Sequence, residues 1–278
     1  MNEEFAQAVN LLRDADSLLV TAGAGMGVDS GLPDFRGTAG FWKAYPALSK
    51  AGIRFESIAN PAAFRKDARQ AWGFYGHRLN LYRQITPHRG FAILREIGES
   101  LEHGTFVFTS NVDGQFQKAG FDGNRINEIH GSIHHMQCMD EGCSIAIWSG
   151  DGFVPNVDEE ECRLLNDVPV CRYCGGLARP NVLMFGDWEW RQVREKHQAK
   201  LFGEWLAKVK RTVVIEIGAG TDIPSVRMFS DRFPRLIRIN PRESQVHREQ
   251  SVSIALGGLE ALEQIERHFK NRSQNRSQ

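Results

Sequence analysis

The sequence predicts an α/β fold, a doubly wound parallel sheet into which a smaller lobe is inserted. Three observations point there. Short β-rich runs alternate with helical stretches along most of the 278 residues. Two of those runs stop in glycines, at Gly23-Ala24-Gly25 and at Gly218-Ala219-Gly220. All five cysteines fall between positions 138 and 174, in a stretch without helical period. Alternating strands and helices imply parallel strands joined by crossovers. A strand running into a glycine-rich turn is how nucleotide-binding α/β units usually begin.

Taken in order, Phe5, Ala8, Val9, Leu11 and Leu12 recur at helical spacing and predict an opening helix. Residues 17–21 (Ser-Leu-Leu-Val-Thr) are the first strand. Residues 37–85 are rich in aromatics and helix formers and predict a helical insert. A helix over 90–101 and a strand over 105–109 follow. Residues 134–178 hold the cysteines and many turn residues. A helix over 191–208 leads to buried strands at 213–217, 236–240 and 251–256, the last followed by Gly257-Gly258 and a helical stretch. Asn-Arg-Ser-Gln occurs twice, at 271–274 and 275–278, and reads as a polar, frayed tail.

Lysine plus arginine equals aspartate plus glutamate at 34 each, so the formal net charge is zero. No global field draws nucleic acid or an anionic membrane, and neither is expected as a partner. The first residues are acidic, and no apolar run approaches the roughly 20 residues that span a bilayer. The expected compartment is the cytoplasm. An odd cysteine count there argues against a disulfide framework.

Cys171-x2-Cys174 is a knuckle followed by two glycines, and Cys138-x4-Cys143 precedes it. Four thiolates from two short loops suit the closed tetrahedral shell of one structural zinc. Buried free thiols or a redox pair are the other readings of the same residues. Cys162 lies between the pairs without a partner. The first glycine loop allows close backbone approach to phosphate. Alone it is a weak signal, but it continues into Asp34, Phe35 and Arg36 rather than an apolar helix.

That continuation carries a resemblance. Gly23 to Arg36 is similar to G-A-G-x-S-x-x-x-G-I-P-D-F-R of the sirtuins, the NAD-dependent protein deacylases. Thr109-Ser110-Asn111-Val112-Asp113 resembles their T-Q-N-I-D, and His130-Gly131-Ser132 their H-G-S, just before the first cysteine pair. Arg179 to Asp187 resembles R-P-x-V-V-x-F-G-E, and Ile239-Asn240 their I-N near the adenosine. The matches run in family order from about residue 15 to 260. The resemblance implies a Rossmann-like NAD-binding domain from 1–36, 86–133 and 179–270. It makes 37–85 a helical insert, 134–178 a zinc-binding insert and 271–278 a tail.

The resemblance also implies a chemistry. NAD is the co-substrate, held by Gly23, Ala24, Gly25, Asp34, Phe35, Arg36, Ser110, Gly218, Ala219, Gly220 and Asn240. Asn111 and Asp113 lie near the nicotinamide and its ribose. Nicotinamide leaves, the acyl oxygen attacks ribose C1′, and His130 acts as general base on a ribose hydroxyl. The products are lysine, nicotinamide and O-acyl-ADP-ribose. Phe185, Gly186 and Asp187 border the cleft for the acylated protein, which adds as a strand. Tyr75-x-x-Arg78 resembles the pattern of sirtuins that accept acidic acyl groups such as succinyl, which makes desuccinylation a variant of the expected activity.

Several positions depart from the family. Gly27 replaces a serine, Ser110 a glutamine, and Gly220 the serine that touches NAD phosphate. Asp187-Trp188-Glu189-Trp190 replaces glutamate-x-leucine-proline, and Pro224-Ser225 departs from V-x-P, so both borders of the peptide cleft are altered. Two alternatives keep the fold: NAD hydrolysis or ADP-ribosyl transfer, and a non-catalytic NAD- or ADP-ribose-binding module. The sequence leaves the oligomeric state unknown.

Overall fold

The computed structural model describes residues 3–33, 37–143 and 147–274, with 37–40 and 271–274 described by backbone alone. Helix α1 (Glu3–Arg13) buries Phe5, Ala8, Val9 and Leu12 on one stripe. Strand β1 (Ser17–Ala22) follows, and all six of its residues are buried. A strand with both faces covered needs apolar or small side chains throughout, and Leu18, Leu19 and Val20 supply the bulk. Next come α2 (Gly37–Ala44), α3 (Pro46–Lys50), α4 (Phe55–Ile58), α5 (Pro61–Lys66) and α6 (Ala68–Gln84). Asn60 caps α5 by accepting from Ala62 N, and Asp67 caps α6 by accepting from Gln70 N. The chain returns through α7 (Arg89–Glu99), β2 (Thr105–Thr109), α8 (Gln115–Lys118) and β3 (Ile126–Glu128).

The second excursion holds β4 (Gly131–Cys138), β5 (Trp148–Ser149), β6 (Val157–Asp158), β7 (Arg163–Leu164) and β8 (Ala178–Val182). It closes through α9 (Val193–Leu206), β9 (Thr212–Ile217), α10 (Ser225–Ser230), β10 (Leu236–Ile239), β11 (Ser251–Ile254) and α11 (Gly258–Gln274). Residues 271–274, expected as part of a frayed tail, have helical backbone because α11 continues through them.

The main sheet has the order β11-β10-β9-β1-β2-β3, and every neighbouring pair is parallel. The chain fills one half outward from β1, then crosses back to fill the other half from β9. On one face Phe5, Leu12, Phe91, Leu94, Leu262 and Ile265 pack from helices onto the strands. On the other, Phe106, Phe202, Trp205 and Leu236 form a second cluster. Among the described residues, no helix is long and apolar enough to cross a membrane.

The two excursions share one hydrophobic core. Phe41, Tyr45, Phe64, Trp72, Phe74, Tyr75 and Leu79 from the helices pack with Ile133, Met136, Cys162, Leu164, Ala178 and Val182. Fully burying each large aromatic contributes roughly 2–3 kcal/mol. Gly73 of α6 lets the chains meet: a Cβ there would stand 2.1 Å from the carbonyl oxygen of Cys162. Strands β4 and β8 pair antiparallel and belong to this lobe, so the expected boundaries at 133 and 179 fall inside them. Cys162 is buried in this core with a thiol pushed up to about 12 by burial, which makes it inert.

Candidate active site

Strands β1 and β9 lie side by side at the centre of the sheet, and successive chain segments leave their carboxyl ends in opposite directions. A crevice opens at such a point, and in this architecture it is the ligand-binding position. Both glycine loops sit there. Gly23 N donates to Ile217 O at 3.0 Å and Gly25 N to Gly218 O at 3.1 Å. A Cβ on Gly23 would come within 2.7 Å of Gly218 O, and one on Gly218 within 2.4 Å of the Gly25 backbone. Gly218 also has φ +61°. The loops are therefore nested backbone to backbone, which only glycine permits.

After Gly23 the chain forms a 3-10 helix, Ala24–Ser30, closed by Gly31 in the left-handed region. His88 clamps it from outside. Its Nδ1 accepts from Gly90 N at 3.0 Å, so Nε2 carries the proton and donates to Met26 O at 2.9 Å. His88 N also donates to Ser30 Oγ at 3.0 Å. Burial lowers the His88 pKa and keeps the ring neutral. Asp34, Phe35 and Arg36, expected to follow this loop as NAD contacts, lie outside the described residues.

Strand β2 ends beside this loop. Ser110 N donates to Ala22 O at 3.2 Å, and Asn111 Nδ2 donates to Gly23 O at 3.0 Å. The structure thus brings Asn111 onto the first glycine loop. Asp113 is buried, and its pKa is raised to about 6, first by burial. Glu128 pushes it further up, while Gln115 N and Arg78 hold it back. Its carbonyl oxygen is 2.9 Å from His134 Nε2. His130 stands in the turn between β3 and β4, half-buried, and desolvation lowers its pKa. It is neutral at physiological pH and able to accept a proton.

Side chains hold the second glycine loop in place. Ala219 O accepts from Asn240 Nδ2 at 3.0 Å and from Arg227 Nη2 at 2.8 Å. Arg227 Nη2 also donates to Glu243 O at 2.8 Å, and Thr221 Oγ1 donates to the Glu243 carboxylate at 2.7 Å. Beneath them Glu216 of β9 is paired with Arg238 of β10, its register partner, at 2.7 Å. Arg238 also reaches Asp231 at 2.9 Å. A Cβ on Gly220 would meet open space. The departure from serine there removes a hydroxyl without relieving any crowding.

On the substrate side, Leu183 N donates to His130 O at 2.9 Å and Phe185 N to Ala59 O at 2.9 Å. Phe185 is partly exposed, edge-on to Phe55 at 5.7 Å. Asp187 differs from its expected role at the cleft. Its side chain is fully buried in an ion pair with Arg179 at 2.7 Å, and it accepts from Met184 N and Glu189 N. It folds the loop rather than facing substrate. Tyr75 and Arg78 sit in the small-lobe core. Arg78 Nε and Nη2 donate to Tyr82 Oη at 3.0 and 2.7 Å, and its guanidinium stacks on Phe74, Tyr75 and Tyr82. Burial pushes the Tyr75 hydroxyl up to about 12.

Cys138, Cys143, Cys171 and Cys174 place their sulfurs within 4.8 Å of one another, at 3.5 Å for Cys138–Cys174 and 3.7 Å for Cys143–Cys171. A tetrahedral zinc with Zn–S of about 2.3 Å has S–S edges of about 3.8 Å. Asp140 N points to Cys138 Sγ and Gly176 N to Cys174 Sγ, as thiolates in a knuckle require. The four residues fit one structural zinc, with no position left for substrate.

Sequence reasoning missed His88, Arg227 and Tyr82. One signal was readable: Glu216 and Arg238 are opposite charges at matching places in two apolar strand runs.

Comparisons with known proteins agree with this geometry. A sequence model described as the Sir2 family matches residues 23–217. The chain is 28% identical to NAD-dependent protein deacylase 2 of Pyrobaculum aerophilum, over 96% of each chain. It is 31% identical to the NAD-dependent protein deacylase of Pyrococcus furiosus, over 77% of this chain and 76% of that one. A mutant Sir2 homologue in complex with ADP-ribose superposes with a TM-score of 0.71 at 22% identity, covering 99% of this chain and 98% of the other.

Proposed function

We infer the function from one premise: the chain belongs to the Sir2 family. It is an NAD-dependent protein deacylase that releases nicotinamide and O-acyl-ADP-ribose, with an acylated protein as its substrate. The observation that carries this reading is the sequence of groups delivered by three adjacent strands. β1 ends in the glycine loop at Gly23, β2 in Asn111 and Asp113, and β3 in His130. Adjacent strands lie about 4.8 Å apart, so the three strand ends lie within roughly 10 Å, the scale of a nucleotide's ribose and diphosphate.

Bound NAD would supply the electrophilic ribose carbon and the hydroxyls that receive the acyl group. Gly23, Ala24 and Gly25, with Gly218, Ala219 and Gly220, would hold its diphosphate through backbone N–H groups. Asn240 would stand at the adenosine. Asn111, fixed by Gly23 O, would orient the nicotinamide side, and Asp113 the ribose next to it. Neutral His130 would take the hydroxyl proton as general base. The four cysteines would hold a structural zinc that fixes the small lobe. The cytoplasm, where such thiols stay reduced, is the proposed compartment.

A preference for acidic acyl groups is supported by Arg78. It is buried, remains charged, and lies near enough to Asp113 to lower that residue's pKa. Tyr75 in turn feels both Arg78 and the Arg179–Asp187 pair. An acyl carboxylate reaching Arg78 would form a charge-assisted bond.

The test is nicotinamide release from NAD with no peptide, an acetyl-lysine peptide and a succinyl-lysine peptide, for wild type and His130→Ala. The expected result is peptide-dependent release with O-acyl-ADP-ribose formed, faster with succinyl and reduced on the order of 10²–10⁴-fold in the variant. Equal release in all three conditions would establish NAD hydrolysis instead. NAD binding with no release under any condition would establish a binding module.

A further inference from the structure

Among the described residues, Trp188 is the one exposed tryptophan, with 97% of its surface open. Exposure of this kind usually belongs to a frayed loop, but both neighbours of Trp188 are anchored. Before it, the Asp187 carboxylate is locked to Arg179 and accepts from Met184 N and Glu189 N. After it, the Glu189 carboxylate is paired with Arg65 of α5 at 2.5 Å, and Glu189 O accepts from Gln137 Nε2 at 3.0 Å. Two residues on, Arg191 N donates to Gln137 Oε1, and Arg191 O accepts from Asn181 Nδ2. The backbone is fixed on both sides of an indole that packs against nothing. Ordering entropy has thus been met before any partner arrives.

The same segment leads to the reaction centre. Leu183 N is bonded to His130 O, and Leu183 and Phe185 are also exposed on it. From Phe185 to Trp188 is three positions, at most about 10 Å at ~3.3 Å per residue. Leu183, bonded to His130, is five positions from Trp188, at most about 17 Å, so a polypeptide whose acyl-lysine reaches His130 would pass Trp188 within about five residues of that lysine. The local chemistry is apolar: Leu183 and Phe185 are exposed on the same segment, and Arg65 pairs with the carboxylate of Glu189 next to Trp188.

We propose that Trp188 is a specificity-determining residue that binds an apolar side chain of the substrate protein, close in sequence to the modified lysine. The inference rests on the deacylase reading above. Tryptophan suits the role because a large rigid indole gives much contact area for little conformational entropy. Trp188 contacts the flanking residue and leaves the reacting atoms to His130, so it acts on KM for extended substrates and leaves kcat alone.

The experiment measures kcat and KM for acyl-lysine peptides carrying Leu, Phe, Ser, Glu or Lys at each flanking position, and for acyl-lysine with blocked termini and no flanks. Wild type is expected to favour Leu and Phe at one flanking position by about tenfold in KM. Trp188→Ala should erase that preference, while its turnover of bare acyl-lysine stays near wild type. Trp188→Phe should restore most of the preference. Preference retained in Trp188→Ala, absent in wild type, or directed to Lys would overturn the inference while deacylation itself stands. Wild type inactive on every acyl-lysine, the bare one included, would overturn both readings. A Trp188-dependent dimer in size-exclusion chromatography would assign the indole to self-association and also overturn it.

Discussion

The two glycine loops at the centre of the sheet hold their shapes by different means. The loop after β1 is fixed mainly by fit: Gly23 lies against Gly218, and Gly23 N and Gly25 N donate to Ile217 O and Gly218 O. The loop after β9 is fixed by long side chains that arrive from elsewhere, Arg227 from α10 and Asn240 from beyond β10. Steric fit tolerates almost no substitution, and His88 and Asn111 add a clamp from outside the loop. Side-chain bracing tolerates change at Gly220, though not at Gly218 where the two loops touch, and depends on residues outside the loop. This explains why a serine can become Gly220 in the second loop, where a Cβ would find open space. In the first, Gly23 has no such freedom.

Four experiments bear on that contrast. Gly218→Ala should do most damage, because it adds a methyl group 2.4 Å from the Gly25 backbone at φ +61°. A cost of at least about 2 kcal/mol is expected, with NAD binding lost. A melting temperature equal to wild type would show that the loops are not nested as described. Arg227→Ala should raise KM for NAD about tenfold, since charge-assisted bonds to two carbonyls are lost. KM for peptide should be unchanged, and Arg227→Lys should recover part of the effect.

The third experiment uses pH. The His88 pKa is depressed in the fold, so its contribution is present above the ordinary value of 6.5 and is lost as pH falls through the lower, folded value. Protonation removes the Nδ1 acceptor for Gly90 N and loosens the clamp on the first loop. Equilibrium NAD binding should weaken a few-fold between about pH 7.5 and about pH 5. His88→Gln should reduce that slope, leaving the part set by Asp113, whose pKa is raised to about 6, and an unchanged profile would remove His88 from the account. The smallest effect is expected for Gly220→Ser. A hydroxyl placed in open space should lower KM for NAD two- to threefold, equivalent to about 0.5 kcal/mol, without moving the melting temperature. A rise in KM would mean the space is needed.

The same contrast marks what the sequence made legible. Nested glycines and zinc cysteines lie in short local patterns, so the first loop and the four-cysteine set could be read directly. So could β1, β2, β9, β10 and β11, each a compact apolar run. Strand β3 is only Ile126, Asn127 and Glu128, too short and polar to register. Strand β4 carries Ser132, His134, His135 and Gln137 among its residues, which hides it among turns. Asp187 was misplaced for a related reason. Its motif position suggested the cleft, but the pairing with Arg179 eight residues earlier draws it inward. His88 and Arg227 act on backbone carbonyls outside their own helices, and a carbonyl has no letter in a sequence.

The arrangement that creates the crevice also sets the order in which the protein can assemble. β1 pairs with β9 through contacts such as Ser17 with Thr212, 195 residues apart. At roughly 5–20 residues per second of synthesis, β1 leaves the ribosome some 10–40 s before its neighbour exists. Through that interval a strand that ends fully buried has one open edge, the kind that pairs with other chains. β2 and β3 can cover only its other side. High sequence separation of this kind slows folding, so the nascent chain should be a chaperone client until about residue 217, and truncations ending before β9 should aggregate rather than fold.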